Sequence, residues 1–267
     1  MKPTLDFVKT IADQAGDILL DLADSDLNIQ HKSRIDLVTQ ADHDSEQFLI
    51  NAIHAAFPEH AIVAEESGAW TGAQDHQWYI DPLDGTLNYA HGVPIYCVSI
   101  GYACKGRMEL GVVYDPTRGE FFSAQRGQGA TLNGQPIHVS GFTDLIDCML
   151  GTGFPKGIAE PTDNNVLNFI RFSQVAQSVR RLGSAALAIA YVAAGRLDGF
   201  WEVDIHQWDI AAGGLIVEEA GGVVTDIFGE PDYMKNPPSI LCANRVIHRG
   251  MLDFVNALHA ENDTTQS

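Results

Sequence analysis

The sequence predicts an α+β protein, built as one large domain or two closely joined ones. Three observations carry this. Residues 4 to 23 set Leu5, Val8, Ile11, Ala12, Ala15, Ile18, Leu19 and Leu22 at helical spacing. Residues 96 to 124 read as a three-strand antiparallel meander that turns at Lys105-Gly106 and at Asp115-Pro116-Thr117-Arg118-Gly119. The second half then mixes helical stretches with short apolar strands. With 267 residues, 45% of them hydrophobic, the chain can bury a sizeable core.

The elements follow in order. The first helix ends in Ala23-Asp24-Ser25-Asp26. Asp42 fits the N-cap of a second helix, with Glu46, Phe48, Leu49, Ile53, Ala56 and Phe57 following and Pro58 ending it. Ala61-Ile62-Val63-Ala64 is a short buried strand that closes in Glu65-Glu66-Ser67-Gly68. Gln77-Trp78-Tyr79-Ile80 is another and delivers Asp81 to its end. Pro82 cannot donate to a sheet ladder, so this strand should stop there. After the meander, an Asn133-Gly134 turn leads into Ile137-His138-Val139, and a weak boundary falls near Gly141-Phe142-Thr143-Asp144. Cys148 to Gly153 is a strand entering a small-residue loop. Asn165 to Ser178 and Ser184 to Ala194 are helices, the second closed by Gly195. Leu197 to Glu202 is largely apolar until its last residue. Asp209 opens a helix that stops at Gly221-Gly222. Val223 to Asp226 and Ile240 to Cys242 are strands. Asn244 caps a last helix with Val246, Ile247, Met251, Phe254, Val255 and Leu258 on one face, and the polar tail from Glu261 is expected to fray.

Acids outnumber bases 35 to 16, a formal charge of -19. That disfavours direct contact with nucleic acid or anionic membranes. It leaves phosphorylated small molecules open, because a bound cation reverses the local field. No apolar run approaches the ~20 residues of a membrane span. Met1-Lys2-Pro3-Thr4 leads straight into the amphipathic pattern, without a signal peptide, so a cytoplasmic protein is expected. Cys97, Cys104, Cys148 and Cys242 are scattered and form no C-x-x-C pair. Three lie in strand-like runs, as buried free thiols do.

The chemistry concentrates in Asp81-Pro82-Leu83-Asp84-Gly85-Thr86-Leu87-Asn88-Tyr89. Two carboxylates, a glycine and a threonine at a strand end suit a hard divalent cation, Mg²⁺, facing a phosphate. Spacing alone also reads as a plain turn, since Asp-Pro and Asp-Gly are common turn formers. Asp42 and Asp209 equally read as helix caps, and Glu65-Glu66 as a solvated loop start. What these stretches share is position: Asp36, Asp42, Glu65, Asp81, Asp84, Glu202 and Asp209 all sit at element ends.

On those residues the sequence resembles the inositol monophosphatase family of Mg²⁺-dependent, lithium-sensitive phosphatases. The resemblance rests on Glu65-Glu66-Ser67, on the Asp81 to Asn88 stretch, and on Trp208-Asp209-Ile210-Ala211-Ala212-Gly213 followed by Glu219-Ala220-Gly221-Gly222. Asp36-Leu37-Val38-Thr39 and Gly183-Ser184-Ala185-Ala186 support it. It implies a layered α-β-α-β-α sandwich, related to fructose-1,6-bisphosphatase, with an N-terminal part at 1–143 and a C-terminal part at 144–267. It also implies a homodimer and two or three Mg²⁺ ions per site.

Carried over by residue, Glu65, Asp81 and the Leu83 carbonyl match ligands of one ion. Asp81, Asp84 and Asp209 match ligands of a second. Thr86, supported by Asp42, matches the hydroxyl that orients the attacking water, with Glu65 beside it in the catalytic set. The amides of Gly85 and Thr86 match phosphate donors. Glu202, Asp84 and the Gly183-Ser184-Ala185 turn match contacts to substrate hydroxyls. Leu87 stands where many members have threonine and is given no role.

The outer segments Arg180 to Ala186 and Tyr191 to Gly199 are most similar to the bacterial inositol-1-monophosphatase branch, which implies a small phosphorylated polyol as substrate. Fructose 1,6-bisphosphate, 3′-phosphoadenosine 5′-phosphate and histidinol phosphate are the alternatives within the family. Arg180 and Arg181 could hold a second phosphate but read better as surface or interface residues. A different class also stays open, because some bacterial relatives serve as assembly partners in transcription complexes.

Overall fold

A computed structural model describes residues 1–23, 30–31, 37–70, 72–154 and 165–265. Asp36 lies outside them. The elements in order are α1 (Leu5–Leu22), β1 (Gln30–His31), β2 (Leu37–Val38), α2 (Gln40–Ala56), β3 (His60–Ala64), β4 (Gly68–Trp70), β5 (Ala73–Asp84) and α3 (Thr86–Ala90). There follow β6 (Cys97–Cys104), β7 (Arg107–Asp115), β8 (Glu120–Gln125), β9 (Ala130–Leu132), β10 (Gln135–Pro136), β11 (Met149–Thr152), α4 (Val166–Val175) and β12 (Ser178–Arg180). The chain closes with α5 (Ala185–Ala193), β13 (Gly199–Val203), α6 (Gln207–Glu219), β14 (Val223–Thr225), β15 (Ser239–Ala243) and α7 (Arg245–Thr265).

An eight-stranded sheet runs in the order β10-β9-β8-β7-β6-β5-β3-β4, and a five-stranded sheet in the order β12-β11-β13-β15-β14. The expected meander is β6 to β8, paired antiparallel throughout. Three apolar cores separate five layers. Helices α1 and α2 bury Val8, Ile11, Leu49 and Ile53 against Trp78, Ile80, Val98, Ile100 and Val112 of the large sheet. The opposite face of that sheet shares a second core with α5, α6 and the inner face of the small sheet, including Phe122, Ile189, Leu215, Phe200, Ile240 and Cys242. The outer face of the small sheet packs Leu150, Trp201, Leu241 and Ala243 on Phe172 of α4 and on Ile247, Met251 and Val255 of α7. Neighbouring residues such as Phe200 and Trp201, or Leu241 and Cys242, go to different cores, as the two-residue period of a strand buried on both faces requires. The expected α-β-α-β-α sandwich is therefore observed.

Several local expectations are corrected. Asp42 is not the N-cap of α2. Thr39 is, and Asp42 sits three positions on and accepts from the Thr39 amide at 2.8 Å and from its hydroxyl at 2.7 Å. That reciprocal capping box satisfies the first turn of the helix. Asp209 stands in the same relation to His206, whose amide donates to its carboxylate at 3.0 Å. Strand β5 does not stop at Pro82. Its pairing with β6 passes from Asp81↔Ser99 to Asp84↔Cys97, three residues against two, so Pro82 sits in a bulge where no ladder donor is needed. In an unbroken strand residues three apart face opposite sides. The extra residue returns Asp81 and Asp84 to one side.

Helix α4 ends at Val175, because Ser178–Arg180 pairs in parallel with β11 as an edge strand. Val246 is 54% exposed, one residue off the stripe of Ile247, Met251 and Val255. The tail expected to fray from Glu261 is helical to Thr265. All four cysteines are free, with Cys97, Cys148 and Cys242 buried and Cys104 partly so. No helix among the described residues is long and apolar enough to cross a membrane.

The small residues of α6 explain how it lies so close to the large sheet. A Cβ on Gly111 would fall 2.7 Å from the Ala212 carbonyl oxygen, and one on Gly101 would fall 3.0 Å from the Ala211 Cβ. Gly111→Ala is therefore expected to destabilise the protein by about 1–3 kcal/mol through overpacking, seen as a lower denaturant midpoint. It should also weaken any activity that depends on Asp209, because α6 carries that residue. An unchanged midpoint would show that the helix is free to shift.

Candidate active site

The bulged end of β5, the loop after β3, the start of α6 and the end of β13 converge on a cavity of about 620 Å³. Every expected site residue but one lines it: Glu65, Asp81, Leu83, Asp84, Gly85, Thr86, Gly183, Ser184, Ala185, Glu202 and Asp209. The exception is Asp42, which lies behind Thr86 and is fully buried.

Carboxylate oxygens of Asp81, Asp84 and Asp209 all lie within 4.8 Å of one another. Among the described residues no lysine or arginine forms an ion pair with any of the three. Burial pushes Asp81 well above the usual carboxylate range, and the charges of Glu65, Asp84 and Asp209 add to it. Asp209 is likewise raised well above its ordinary value by burial and then by Asp84 and Glu65. Asp84 is raised by burial too, but donors oppose the shift. Ser184 Oγ reaches its Oδ2 at 2.6 Å and the Ala186 amide reaches the same oxygen at 2.7 Å, at the start of α5. Crowded carboxylate oxygens with no ion-paired lysine or arginine among the described residues are a donor set suited to a hard divalent cation. The residues present therefore fit the group the motifs imply.

Thr86 stands beside this cluster. Its hydroxyl is 2.9 Å from Asp42 Oδ1 and 3.1 Å from the Leu83 carbonyl. With its one proton given to Asp42, the hydroxyl oxygen keeps lone pairs for a water. Gly85 precedes it at φ 103, and a Cβ there would fall 2.9 Å from the Ile95 carbonyl oxygen, so only glycine fits this turn.

Glu202 faces the cluster from the small sheet. It is buried, its Oε2 has no hydrogen-bond partner among the described residues, and its carboxyl is raised well above the ordinary value. Burial is the main cause; Asp209 and Asp84 add to the shift and Arg181 opposes it.

Other residues of the wall were not expected. Asn88 Nδ2 donates to the carbonyls of Ile95 and Leu182, each at 2.8 Å, and ties the Asp84-Gly85-Thr86 turn to the Gly183 loop. Ser184 lines the cavity as expected, and its hydroxyl donates to Asp84. Arg181 was read as a surface or interface residue. It is exposed but also lines the cavity, with its guanidinium 5.3 Å from the Phe154 ring centroid. Thr152, Gly153 and His206 also line the cavity, and the His206 ring stacks on Trp208 at 4.6 Å. The place of Arg181 in the lining agrees with the alternative that it could hold a second phosphate better than with a purely surface role. Nothing in the linear sequence marks Gly153.

The sequence model of the inositol monophosphatase family matches residues 1–260. The chain is 44% identical to Nus factor SuhB of Pseudomonas aeruginosa over 88% of its own length and 89% of that protein. It is 40% identical to inositol-1-monophosphatase of Mesorhizobium japonicum, over 86% of each chain. It superposes on the solved structure of inositol monophosphatase from Anabaena with a TM-score of 0.86 at 42% identity, covering 95% of each chain.

Proposed function

The chain belongs to the inositol monophosphatase family, and we propose that it is a Mg²⁺-dependent phosphomonoesterase acting on inositol 1-phosphate and similar polyol phosphates. One observation carries the reading: the carboxylates of buried Asp81 and half-buried Asp84 and Asp209 lie within 4.8 Å of each other and line one cavity with the buried Glu202, whose Oε2 has no partner among the described residues. Glu65, Asp81, the Leu83 carbonyl, Asp84 and Asp209 are the proposed ligands of two or three ions. Bound there, the ions would make a water acidic and stabilise the departing alkoxide.

The chain's own residues do the rest. Thr86, its proton directed to Asp42, accepts from a water and orients it. The amides of Gly85 and Thr86 hold the phosphate. Ser184 and the Ala186 amide fix Asp84 in one rotamer. Glu202 accepts hydrogen bonds from hydroxyls of the alcohol part, and a polyol is the kind of alcohol that supplies them. The same reading takes 1–143 and 144–267 as two parts with the site at their junction, and a cytoplasmic homodimer as the working form. The inositol-1-monophosphatase name of the Mesorhizobium relative supports the substrate.

A second reading is favoured by the Nus factor name of the Pseudomonas relative: a partner protein in a transcription complex. The formal charge of -19 then points to protein rather than nucleic acid as the surface contacted.

Phosphate release from inositol 1-phosphate, with and without Mg²⁺, tests the proposal, with fructose 1,6-bisphosphate and 3′-phosphoadenosine 5′-phosphate in parallel. Mg²⁺-dependent turnover highest on inositol 1-phosphate is expected. Preference for a bisphosphate would overturn the substrate. A folded, Mg²⁺-binding protein that hydrolyses no ester would leave the partner reading.

A further inference from the structure

We propose that Asn165 is a positioning residue that acts through Gly153 and Trp201 to aim Glu202 at the alcohol part of the substrate, and so sets the preference for polyol phosphates. The inference rests on the phosphomonoesterase reading above. Asn165 is 1% exposed and has φ 66, a left-handed backbone uncommon outside glycine. Its side chain has four partners, one of them Asn168, whose Nδ2 donates to Oδ1 at 3.2 Å. Trp201 Nε1 donates to Oδ1 at 2.7 Å, while Nδ2 donates to the Gly153 carbonyl at 2.6 Å and to Thr152 Oγ1 at 2.9 Å. An indole N–H can only donate and a carbonyl can only accept, so the amide has one orientation. Thr152 Oγ1 in turn donates to the Trp201 carbonyl at 2.8 Å. The ends of β11 and β13 are thus tied together at the residue before Glu202 and at the residue facing it.

Gly153 shows what the tie achieves. A Cβ there would lie 2.2 Å from both Glu202 carboxylate oxygens, so the carboxylate occupies the place a side chain would take. Among the described residues no donor holds its Oε2, which is buried. Leaving a buried acceptor unmatched is costly, and hydroxyls of the alcohol would relieve it. Among the described residues, the close fit against Gly153 keeps Glu202 aimed, and that fit depends on where Asn165 holds Gly153.

The test compares wild type, Asn165→Gly and Gly153→Ala on inositol 1-phosphate and on p-nitrophenyl phosphate, whose leaving group carries no further hydroxyl. Glycine keeps the left-handed backbone and deletes only the side chain, so a purely conformational role for residue 165 predicts no change. The proposal expects kcat/KM for inositol 1-phosphate to fall about tenfold in Asn165→Gly, mostly through KM, with p-nitrophenyl phosphate within about twofold of wild type. Gly153→Ala, which displaces Glu202 directly, is expected to show the same selective loss, and it decides the matter if Asn165→Gly does not fold. Equal losses on both esters, or no loss, overturn the proposal. Wild type that hydrolyses neither ester overturns the phosphomonoesterase reading and this inference with it, a result distinct from any variant's.

Discussion

Asp84→Asn is expected to lower Mg²⁺-dependent phosphate release by about 10³-fold or more, roughly 4 kcal/mol of lost transition-state stabilisation, while the protein stays folded. The surroundings of the side chain explain why so small a change matters. Ser184 Oγ and the Ala186 amide both donate to Oδ2. An asparagine must keep its oxygen toward those donors, so its NH₂ turns to face Asp81 and Asp209. A donor then stands where a cation needs an acceptor. The fold should tolerate the change, because the amide has the same shape as the carboxylate and its introduction removes one of three crowded negative charges. Phosphate release beside circular dichroism checks both halves. Turnover within tenfold of wild type would remove Asp84 from the metal site.

The second large effect concerns stability. Without a divalent cation the protein is expected to lose stability as pH rises, and Mg²⁺ should restore it. Asp81, Asp209 and Glu202 are held well above their ordinary values, and Asp84 is raised, mainly by burial in every case. The folded protein therefore keeps protons that the unfolded chain, with carboxyls near ~4, has already released. The stability this adds is complete below ~4 and is lost as pH climbs through the raised folded values. A bound cation replaces those protons, so the increment in melting temperature from Mg²⁺ over chelator should grow with pH. At a cation concentration about a hundred times the dissociation constant the gain is ~2.7 kcal/mol, on the order of 5–10 °C for a chain of this size.

Asp81→Asn supplies the sharper case. It removes the most crowded charge, so in chelator near neutral pH it should melt above wild type while losing the Mg²⁺ increment and the activity together. Melting scans at a series of pH values above the ~4 of unfolded carboxyls check this. An increment that is flat with pH, or an Asp81→Asn variant that melts below wild type in chelator, would contradict this account.

These predictions draw on residues that were legible to very different degrees. Asp81, Asp84, Gly85 and Thr86 are contiguous, so their chemistry can be read before any folding is known. Asp209 and Glu202 lie more than a hundred residues away; their place at element ends marks them, but the resemblance to the family is what links them to Asp81 and Asp84. Pro82 misled, because a proline excluded from ladder bonding is compatible with a bulge as well as with a strand end. Asp42 and Asp209 were read as caps, and both do serve helix starts, from the third position of a capping box. Each has a second oxygen or face left over, and for Asp42 that oxygen meets Thr86.

Element order and the meander are readable without the fold, because they depend on local propensity, on apolar period and on residues close in the chain; the layered class and the distant acids follow from the resemblance of the motifs to a family. The fold alone shows which hydroxyl fixes Asp84, that Arg181 lines the cavity, and that the Glu202 carboxylate lies against Gly153 with no partner for its Oε2 among the described residues. Each of those facts depends on contacts between segments 12 to 100 residues apart. Their energy depends on distances of a few ångströms that come into being only when the two sheets close on α5 and α6.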